Sequence, residues 1–394
     1  MLQNAAGLQN WLRDQFIDNC RYDNLVGDLL SATGVGDRDP GVFYTTLKSK
    51  PEKIAASTSR IFLGLQMECA QCHNHPYDDW TQRYFWGYAA FFARLQPPTP
   101  GDQNSALRES DAGEVMLPDT EEVVAPRYPG GQLADESQGG GRRMQLTIWM
   151  ASRHNPFLPR AASNWGWAHM FGRGIVHPVD DMSVSNLPSH PQLLDDLSLY
   201  FTRSGFDMKN LLRTLANTKV YQLSSSSEQE VSAPAESFTS MAVKTLTPEQ
   251  LYACIKRTLA PRPPMSTADG RRLGVLFDLQ RQQFVTRMAS VSQEVTEYEA
   301  GLPQSLMLMN GPTIAQATDV QQSGILGTIE APLFTNKQRL EMIFLAAVTR
   351  RPTANEAERF LAYVEQGGVE NDSMKALGDM LWALLNSAEF TLNH

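Results

Sequence analysis

The sequence contains little cysteine and no long apolar run. Four cysteines in 394 residues are too few for a disulfide-rich scaffold, which concentrates its cysteines in a short chain. No stretch of about 18 apolar residues occurs, and a transmembrane helix needs roughly that length. We therefore expect buried hydrophobic cores, no disulfide framework and no transmembrane segment in this chain.

Basic clusters and common catalytic motifs are also missing. The 34 Lys and Arg residues are outnumbered by 43 Asp and Glu residues, which gives a net charge of −9. Because a nucleic-acid partner requires a concentrated basic face, we expect none to bind. The sequence has no phosphate-binding loop, no dinucleotide glycine fingerprint and no Gly-x-Ser-x-Gly elbow. The absence of these motifs leaves open whether the protein is an enzyme.

Helical periodicity extends over most of the chain. Near the N-terminus, apolar residues recur at the spacing of one helical face, at Leu8, Trp11, Leu12 and Phe16. Residues 96–143 differ, because they are rich in Pro, Gly, Ser and acidic side chains. They indicate a linker or insertion that can hold a short β-hairpin at 113–128. We predict a mainly α, multi-domain protein with the segments 1–95, 96–143 and 144–394.

A Cys-x-x-Cys-His motif stands at Cys69, Cys72 and His73. Shuffling this composition would give such a motif on the order of once in a thousand sequences, so chance is a poor explanation. Covalent attachment of haem c needs two thiols, which add to two vinyl groups of the porphyrin, and an adjacent histidine, which binds the iron. The motif supplies these groups in the required order.

The residues that follow the motif predict a turn and then a helix. Thr81 is the expected N-cap of that helix. The second ring nitrogen of His73 would donate to a carbonyl, which the turn at His75-Pro76 could offer. Aromatic side chains could cover the porphyrin or, as the alternative, form an ordinary helix-packing core. They are Tyr84, Phe85, Tyr88 and Phe92, with Trp80 and Trp86.

A second axial ligand must come from another part of the chain. Two extended residues span at most roughly 7 Å, so His75 is too close to His73 to reach the other face of the same iron. His75 is therefore interpreted as a turn residue. His169 and Met170 are the candidates, with Arg173 available to a haem propionate. Their alternative interpretations are an interior histidine and a methionine that fills the core.

Other interpretations of the motif stay open. Cys69, Cys72, His73 and His75 could bind zinc, although four ligands within seven residues are cramped for a tetrahedral site. The two cysteines could also form a disulfide or a redox dithiol, but this leaves the adjacent histidine unexplained. A separate carboxylate pair, Asp180 and Asp181, could bind a cation, but a solvated turn is the favoured interpretation.

The motif and its flanks resemble a known family. The stretch IFLGLQMECAQCHNHPYDDWTQRYFWGYAAFFARL resembles the planctomycete cytochrome c-like domain known as domain of unknown function fifteen forty-nine. The second half resembles the planctomycete-specific domain of unknown function fifteen fifty-three. It does so in NPFLPRAASNWGWAHMFGRGIVHPVDDMSVSNLPSHPQLLDDL, LLRTLANTKVYQLSS and FLAAVTRRPTANEAERFLAYV, among others. Residues 1–95 would then be the C-terminal part of the first domain, and 144–394 the second.

The resemblance implies a mostly helical protein of the bacterial cell envelope. The haem motif of the family carries over onto Cys69, Cys72 and His73, and His169 falls where members often have histidine. Family members often carry a signal and a further haem domain before this region, so we expect this chain to be N-terminally truncated and its location to be periplasmic or otherwise extracytoplasmic. Two departures, His190 for a capping asparagine and Cys20 for an apolar residue, leave the motif intact.

Three functions follow from these observations. The leading hypothesis is electron transfer through a covalently bound haem c, with His73 and either His169 or Met170 as iron ligands and a redox partner protein in the cell envelope. The second is a haem peroxidase or oxidoreductase with an open distal site, acting on a glycan-derived substrate. The third is a scaffold or binding protein without haem, in which the motif holds zinc or a disulfide.

Overall fold

The computed structural model of the protein describes residues 2–34, 39–97, 106–135, 140–152, 155–225, 233–259, 279–289 and 301–393. The chain divides into two compact units, Met1–Met241 and Ala242–His394, here called the first and the second unit. The prediction of a mainly α fold is confirmed, because helices dominate both units and the strands are only two residues long. Among the residues described, no helix is both long and apolar enough to cross a membrane.

The helices of the first unit pack around one core of aromatic and aliphatic side chains. They are α1 (Leu2–Ile17), α2 (Tyr22–Leu30), α3 (Val42–Thr46), α4 (Pro51–Thr58), α5 (Gln82–Ala89), α6 (Arg142–Met150), α7 (Phe157–Phe171), α8 (Pro191–Arg203) and α9 (Met208–Ala216). A π-helical turn covers Ser59–Leu63, and 3₁₀ turns cover Glu68–Gln71, Ala90–Phe92 and Ala235–Ser237.

Local sequence signals explain several helix ends. Thr81 caps α5, because its side chain accepts a hydrogen bond from the backbone N–H of Tyr84, and the predicted N-cap is confirmed. α8 begins at Pro191, where a helix tolerates the missing N–H. α7 ends at Gly172, which adopts a left-handed φ of 81°.

The segment 96–143 carries the predicted hairpin. Strands β3 (Val115–Met116) and β4 (Val123–Val124) pair in antiparallel fashion, which confirms a hairpin at 113–128. A second antiparallel pair joins β1 (Leu95–Gln96) to β2 (Arg108–Glu109). The buried sides of the hairpin, Val115 and Val124, pack against Ala90. The described part of this segment is therefore packed on the end of α5.

Two buried arginines begin α6 and connect it to its surroundings. Arg142 donates to both carboxylate oxygens of Glu114, at 3.0 and 2.8 Å, and to the carbonyl of Ala90 at 3.3 Å. Partial burial opposes ionisation of Glu114, but hydrogen bonds from Arg94 and Arg142 outweigh it and lower the pKa of this carboxyl. Arg142 thereby attaches the hairpin segment to the helical core.

The second arginine, Arg143, closes the C-terminal end of α2. Its guanidinium donates to the carbonyls of Leu30 and Ala32, at 3.2 and 2.9 Å. It also lies 3.7 Å from Glu109 and stacks over the ring of Tyr44, 5.4 Å from the ring centroid. Buried arginines are rare unless they are paired, so each of these partners must be in place when the helices pack.

The division between the compact units does not coincide with the division at 144 predicted from composition. α6 begins at Arg142, and α6–α9 share the first unit with residues 1–95. α6 packs closely on α2, since a Cβ added at Gly27 would lie 3.1 Å from the side chain of Thr147. The first unit is thus built from segments on both sides of the hairpin region.

The second unit is a separate helical body with its own core. Its helices are α10 (Pro248–Leu259), α11 (279–288), α12 (Leu302–Asn310), α13 (Pro312–Thr318), α14 (Gly324–Ile329), α15 (Asn336–Val348), α16 (Ala354–Glu365), α17 (Ser373–Leu385) and α18 (Ala388–Thr391). Strands β5 (Lys244–Thr245) and β6 (Leu392–Asn393) pair its two ends. Arg350 binds Glu356 and Glu389 with paired hydrogen bonds of 2.6–2.8 Å, which ties the start of α16 to α18.

Replacing Arg143 tests how much the first unit depends on a buried guanidinium. We expect Arg143→Leu to lower the free energy of unfolding by about 3 kcal/mol, because the buried carbonyls of Leu30 and Ala32 lose a charged donor and Glu109 loses an ion-pair partner. The exposed Arg108 provides a control, and Arg108→Leu should change the free energy of unfolding by less than about 0.5 kcal/mol. Urea denaturation followed by tryptophan fluorescence is suitable, since six of the seven tryptophans lie in the first unit. Equal effects of the two substitutions would contradict a structural role for Arg143.

Candidate functional site

The Cys-x-x-Cys-His motif lies on the surface of the first unit. Cys69 is in the 3₁₀ turn Glu68–Gln71, and Cys72 follows directly as its C-cap. Both cysteines are exposed free thiols with no disulfide between them. The turn packs against α5, so the motif stands beside the helix that follows it in sequence.

Gln82, the first residue of α5, binds the backbone of the motif. Its side-chain amide donates to the carbonyl of Gln71 at 3.3 Å and to the carbonyl of Cys72 at 3.0 Å. Trp86, one turn further along α5, donates from its indole N–H to the same carbonyl of Gln71 at 3.0 Å. The two peptide groups that flank Cys72 are therefore both fixed to α5.

His73 has one ring nitrogen engaged and is itself exposed. Its Nδ1 lies 2.7 Å from the backbone carbonyl of Asn74. A carbonyl can only accept, so Nδ1 carries the proton and, in the neutral ring, Nε2 keeps its lone pair. The sequence predicted a carbonyl from the turn at His75-Pro76, but the carbonyl that binds is that of Asn74. The tautomer is the one that a metal ligand bound through Nε2 requires.

His75 has a different hydrogen-bond pattern. Its Nδ1 accepts from the backbone N–H of Tyr77 at 3.3 Å, and its own backbone N–H donates to the carbonyl of Trp80 at 2.8 Å. These contacts confirm its interpretation as a turn residue. Within the described ranges, no three His, Cys, Asp or Glu side chains come together as a group of metal ligands. The compact zinc arrangement of four motif residues is thus not preformed.

The aromatic stripe of α5 is divided between core and surface. Phe85, Tyr88 and Phe92 are fully buried, and the Tyr88 hydroxyl lies 3.1 Å from the hydroxyl of Thr58. Burial raises the pKa of Tyr88 well above its ordinary value. These three rings therefore form the helix-packing core that was the alternative interpretation. Trp80 and Tyr84 remain partly exposed and pack edge to face at 6.3 Å.

An ion pair between the exposed Arg60 and the buried Asp180 anchors the chain just before the motif. Asp180 is buried, forms an ion pair with Arg60 and accepts from the side-chain amide of Gln66 at 3.0 Å. The hydrogen bond with Asp180, supported by Glu68 at 3.6 Å, raises the pKa of Arg60. The prediction of a solvated turn is wrong for Asp180, because its carboxylate pairs with an arginine 120 positions away in sequence.

Gly64 allows this region to approach α7 closely. It adopts a left-handed φ of 68°, and its carbonyl accepts from the backbone N–H of Met182 at 2.8 Å. A Cβ at Gly64 would lie 3.1 Å from the side chain of Met182 and 3.5 Å from that of Ala161. Glycine therefore serves both the backbone conformation and the close packing against α7.

The candidate distal residues lie at the other end of α7. His169 is eight residues beyond Ala161, which corresponds to about 12 Å along the helix. His169 is exposed, so the alternative interpretation as an interior histidine is wrong. Met170 is half-buried and packs on the core of the first unit, which agrees with its alternative interpretation as a methionine that fills the core. Arg173, which follows the helix, is also half-buried. The turn that holds the motif packs against α5, whereas α7 packs against Ser59–Leu63.

Sequence reasoning missed the residues that support the motif. Asn74 accepts from the backbone N–H of Gln82 at 2.9 Å through its side-chain oxygen. Gln82 had one detectable signal, because it directly follows the predicted N-cap Thr81, where an unpaired backbone N–H is expected. Asp180 was noted only as part of a carboxylate pair, and its contact with Arg60 had no signal because it joins parts of the sequence 120 positions apart.

Removal of the Asp180 charge tests the anchor. We expect Asp180→Asn to lower the free energy of unfolding of the first unit by about 2 kcal/mol, because Arg60 loses its buried partner. The neighbouring Asp181 is a matched control, and Asp181→Asn should change the value by less than about 0.5 kcal/mol. Both values would come from urea denaturation with circular dichroism. A loss in the control as large as in Asp180→Asn would refute a specific role for the ion pair.

Two family models match this chain. PSCyt2, described as a protein of unknown function (DUF1549), matches residues 2–97, and PSD1, described as a protein of unknown function (DUF1553), matches residues 142–258. None of the curated proteins and none of the solved structures compared with the chain matches it. The first match contains Cys69, Cys72 and His73, and the second contains Asp180 and His169. The chain therefore contains two planctomycete-type domains of unknown function, a PSCyt2 domain followed by a PSD1 domain.

Proposed function

We propose that this protein binds haem c covalently through Cys69 and Cys72, with His73 as an iron ligand, and transfers electrons. The observation that carries the proposal is the contact between the His73 ring and the backbone carbonyl of Asn74. The Nδ1–H of the ring is held by the carbonyl of Asn74 at 2.7 Å, which leaves Nε2 for a metal. Metal-ligating histidines commonly donate their other N–H in this way, and the bond raises the basicity of the ligand.

The two thiols fit the attachment chemistry. Cys69 and Cys72 are both exposed and free, so a porphyrin edge can approach their sulfur atoms. Each cysteine would form one thioether bond to a vinyl carbon and pass its thiol proton to the neighbouring carbon, so that no oxidant is consumed. The bound haem would supply one-electron chemistry at iron. The protein's own role would be to hold Cys72 and His73 in place through Gln82 and Asn74.

We further propose that the protein works outside the cytoplasm with a redox partner protein of the cell envelope. The family resemblance supports this location, and the exposure of the motif supports access by a partner. Electron transfer between proteins requires a short path from the cofactor to the protein surface. A motif on the surface of the first unit meets this requirement, since Cys69, Cys72 and His73 are all exposed.

Loss of either motif cysteine should reduce covalent haem. When the protein is produced with haem-maturation machinery, we expect a pyridine haemochrome spectrum from the wild type. Cys69→Ala should leave only one thioether and shift that spectrum, and the double variant with Cys72→Ala should carry no covalent haem. Cys254 is an exposed cysteine outside the motif, and Cys254→Ala should keep full haem content. Wild-type protein that carries no haem under these conditions would refute the proposal.

A second function is favoured by the position of His169. Among the described residues no three His, Cys, Asp or Glu side chains form a group, so His169 does not cluster with Cys69, Cys72 and His73. An iron with an open sixth position would suit a haem peroxidase or another oxidoreductase, and a glycan-derived substrate is the class that we propose. His169, Met170 and Arg173 would then have no part in binding iron or propionate.

The ferric spectrum separates these two functions. For an open site we expect a high-spin spectrum, rapid reaction with peroxide and no change in His169→Ala. A low-spin spectrum that becomes high-spin in His169→Ala would contradict the open site and identify His169 as the sixth ligand of an electron-transfer protein. Met170→Ala makes the same comparison for the methionine. Purified protein with zinc at the motif and no haem would contradict both haem functions.

A further inference from the structure

We infer that Asn74 and Gln82 form a clasp that positions His73 before any haem is attached. The purpose that we assign to the clasp rests on the proposed function. The hydrogen bonds of the clasp, in contrast, involve only residues of this chain. Asn74 contributes two groups: its backbone carbonyl takes the Nδ1–H of His73, and its side-chain oxygen accepts from the backbone N–H of Gln82. Gln82 returns two hydrogen bonds to the motif.

The side chain of Gln82 fixes both peptide groups around Cys72. One amide proton is donated to the carbonyl of Gln71, at 3.3 Å, and the other to the carbonyl of Cys72, at 3.0 Å. The first carbonyl belongs to the peptide that enters Cys72, and the second to the peptide that leaves it toward His73. With both planes held, the direction in which the chain enters His73 is set by α5.

The clasp is connected to the core of the first unit. Trp86 shares the carbonyl of Gln71 with Gln82 and packs edge to face on Phe85, at 5.7 Å between ring centroids. Phe85 is fully buried, so the helix that carries the clasp is fixed by the core. Thr81 accepts from the N–H of Tyr84, which leaves the N–H of Gln82 free for Asn74. The first turn of α5 thereby becomes a rigid support for an exposed histidine.

The clasp makes a specific claim about protonation. His73 should carry its proton on Nδ1, because that atom faces a carbonyl, whereas His75 should carry its proton on Nε2, because its Nδ1 accepts from Tyr77. Two histidines that are two positions apart are therefore expected to be opposite tautomers. A purely structural clasp would stabilise the loop without fixing the ring of His73.

The tautomers can be measured in the haem-free chain of 394 residues. We would record ¹⁵N chemical shifts of the histidine rings at a pH well above the ordinary histidine pKa of about 6.5. The wild type should show a protonated Nδ1 for His73 and a protonated Nε2 for His75. In Gln82→Ala and Asn74→Ala the signals of His73 should move toward a mixture of tautomers, while those of His75 stay in place.

A second readout uses covalent haem yield. We expect Gln82→Ala to lower the yield roughly ten-fold, in the range seen when groups that orient a metal ligand are removed. Gln82→Glu should be at least as harmful, because it replaces the amide donor with an acceptor of the same shape. Gln71→Ala is the matched control, since Gln71 contributes only its backbone carbonyl to the clasp, and this variant should keep wild-type yield. Urea midpoints would verify that all variants remain folded.

The outcomes separate the clasp from the proposed function. A wild-type His73 protonated on Nε2, or a tautomer unaffected by Gln82→Ala, would overturn the clasp even if haem is attached. A wild type that never acquires haem but shows the expected pair of tautomers would refute haem binding and leave the clasp intact. Equal haem loss in Gln71→Ala and Gln82→Ala would also overturn the clasp, because the control keeps every hydrogen bond that defines it.

Discussion

The burial of two adjacent arginines constrains the whole first unit. Arg142 and Arg143 lie in the core, where an unpaired guanidinium would cost several kcal/mol. Their partners come from four separate stretches: the end of α2, Tyr44 of α3, the end of α5 and the hairpin segment. If one of these stretches detached, a buried guanidinium would lose a hydrogen-bond or charge partner. The described part of a region that composition predicts to be a linker is thus held against the core by the helix that follows it.

Much of the local structure could be predicted from sequence, because its causes are local. The helix cap at Thr81, the start of α8 at Pro191 and the hairpin around β3 and β4 each depend on residues within a few positions of one another. The order of thiols and imidazole in the motif is likewise a property of consecutive residues. Contacts across long stretches could not be predicted. Asp180 and Asp181 look alike in sequence, yet only Asp180 is paired with Arg60.

The two family segments illustrate the difference between a sequence domain and a compact unit. The PSCyt2 match and most of the PSD1 match lie within Met1–Met241, where they share one hydrophobic core. Arg60 and Asp180 join them directly, and Met182 adds a backbone hydrogen bond to Gly64. Because the core contains side chains from both segments, neither segment alone keeps the apolar contacts that fold it. The occurrence of the two segments in one chain therefore has a physical basis in their shared core.

Because the two motif cysteines are exposed, individual molecules in a preparation can differ in the chemical state of these thiols. Surface thiols that are close in sequence meet oxidants as readily as they meet a cofactor, and oxidation would close the route to thioether formation. A chain that has been matured would retain only Cys20 and Cys254 as thiols, whereas an unmatured, reduced chain would retain all four. Counting free sulfhydryl groups before and after treatment with a reductant would therefore tell the three kinds of molecule apart, because a Cys69–Cys72 disulfide regains two thiols on reduction whereas the thioethers of a matured chain do not.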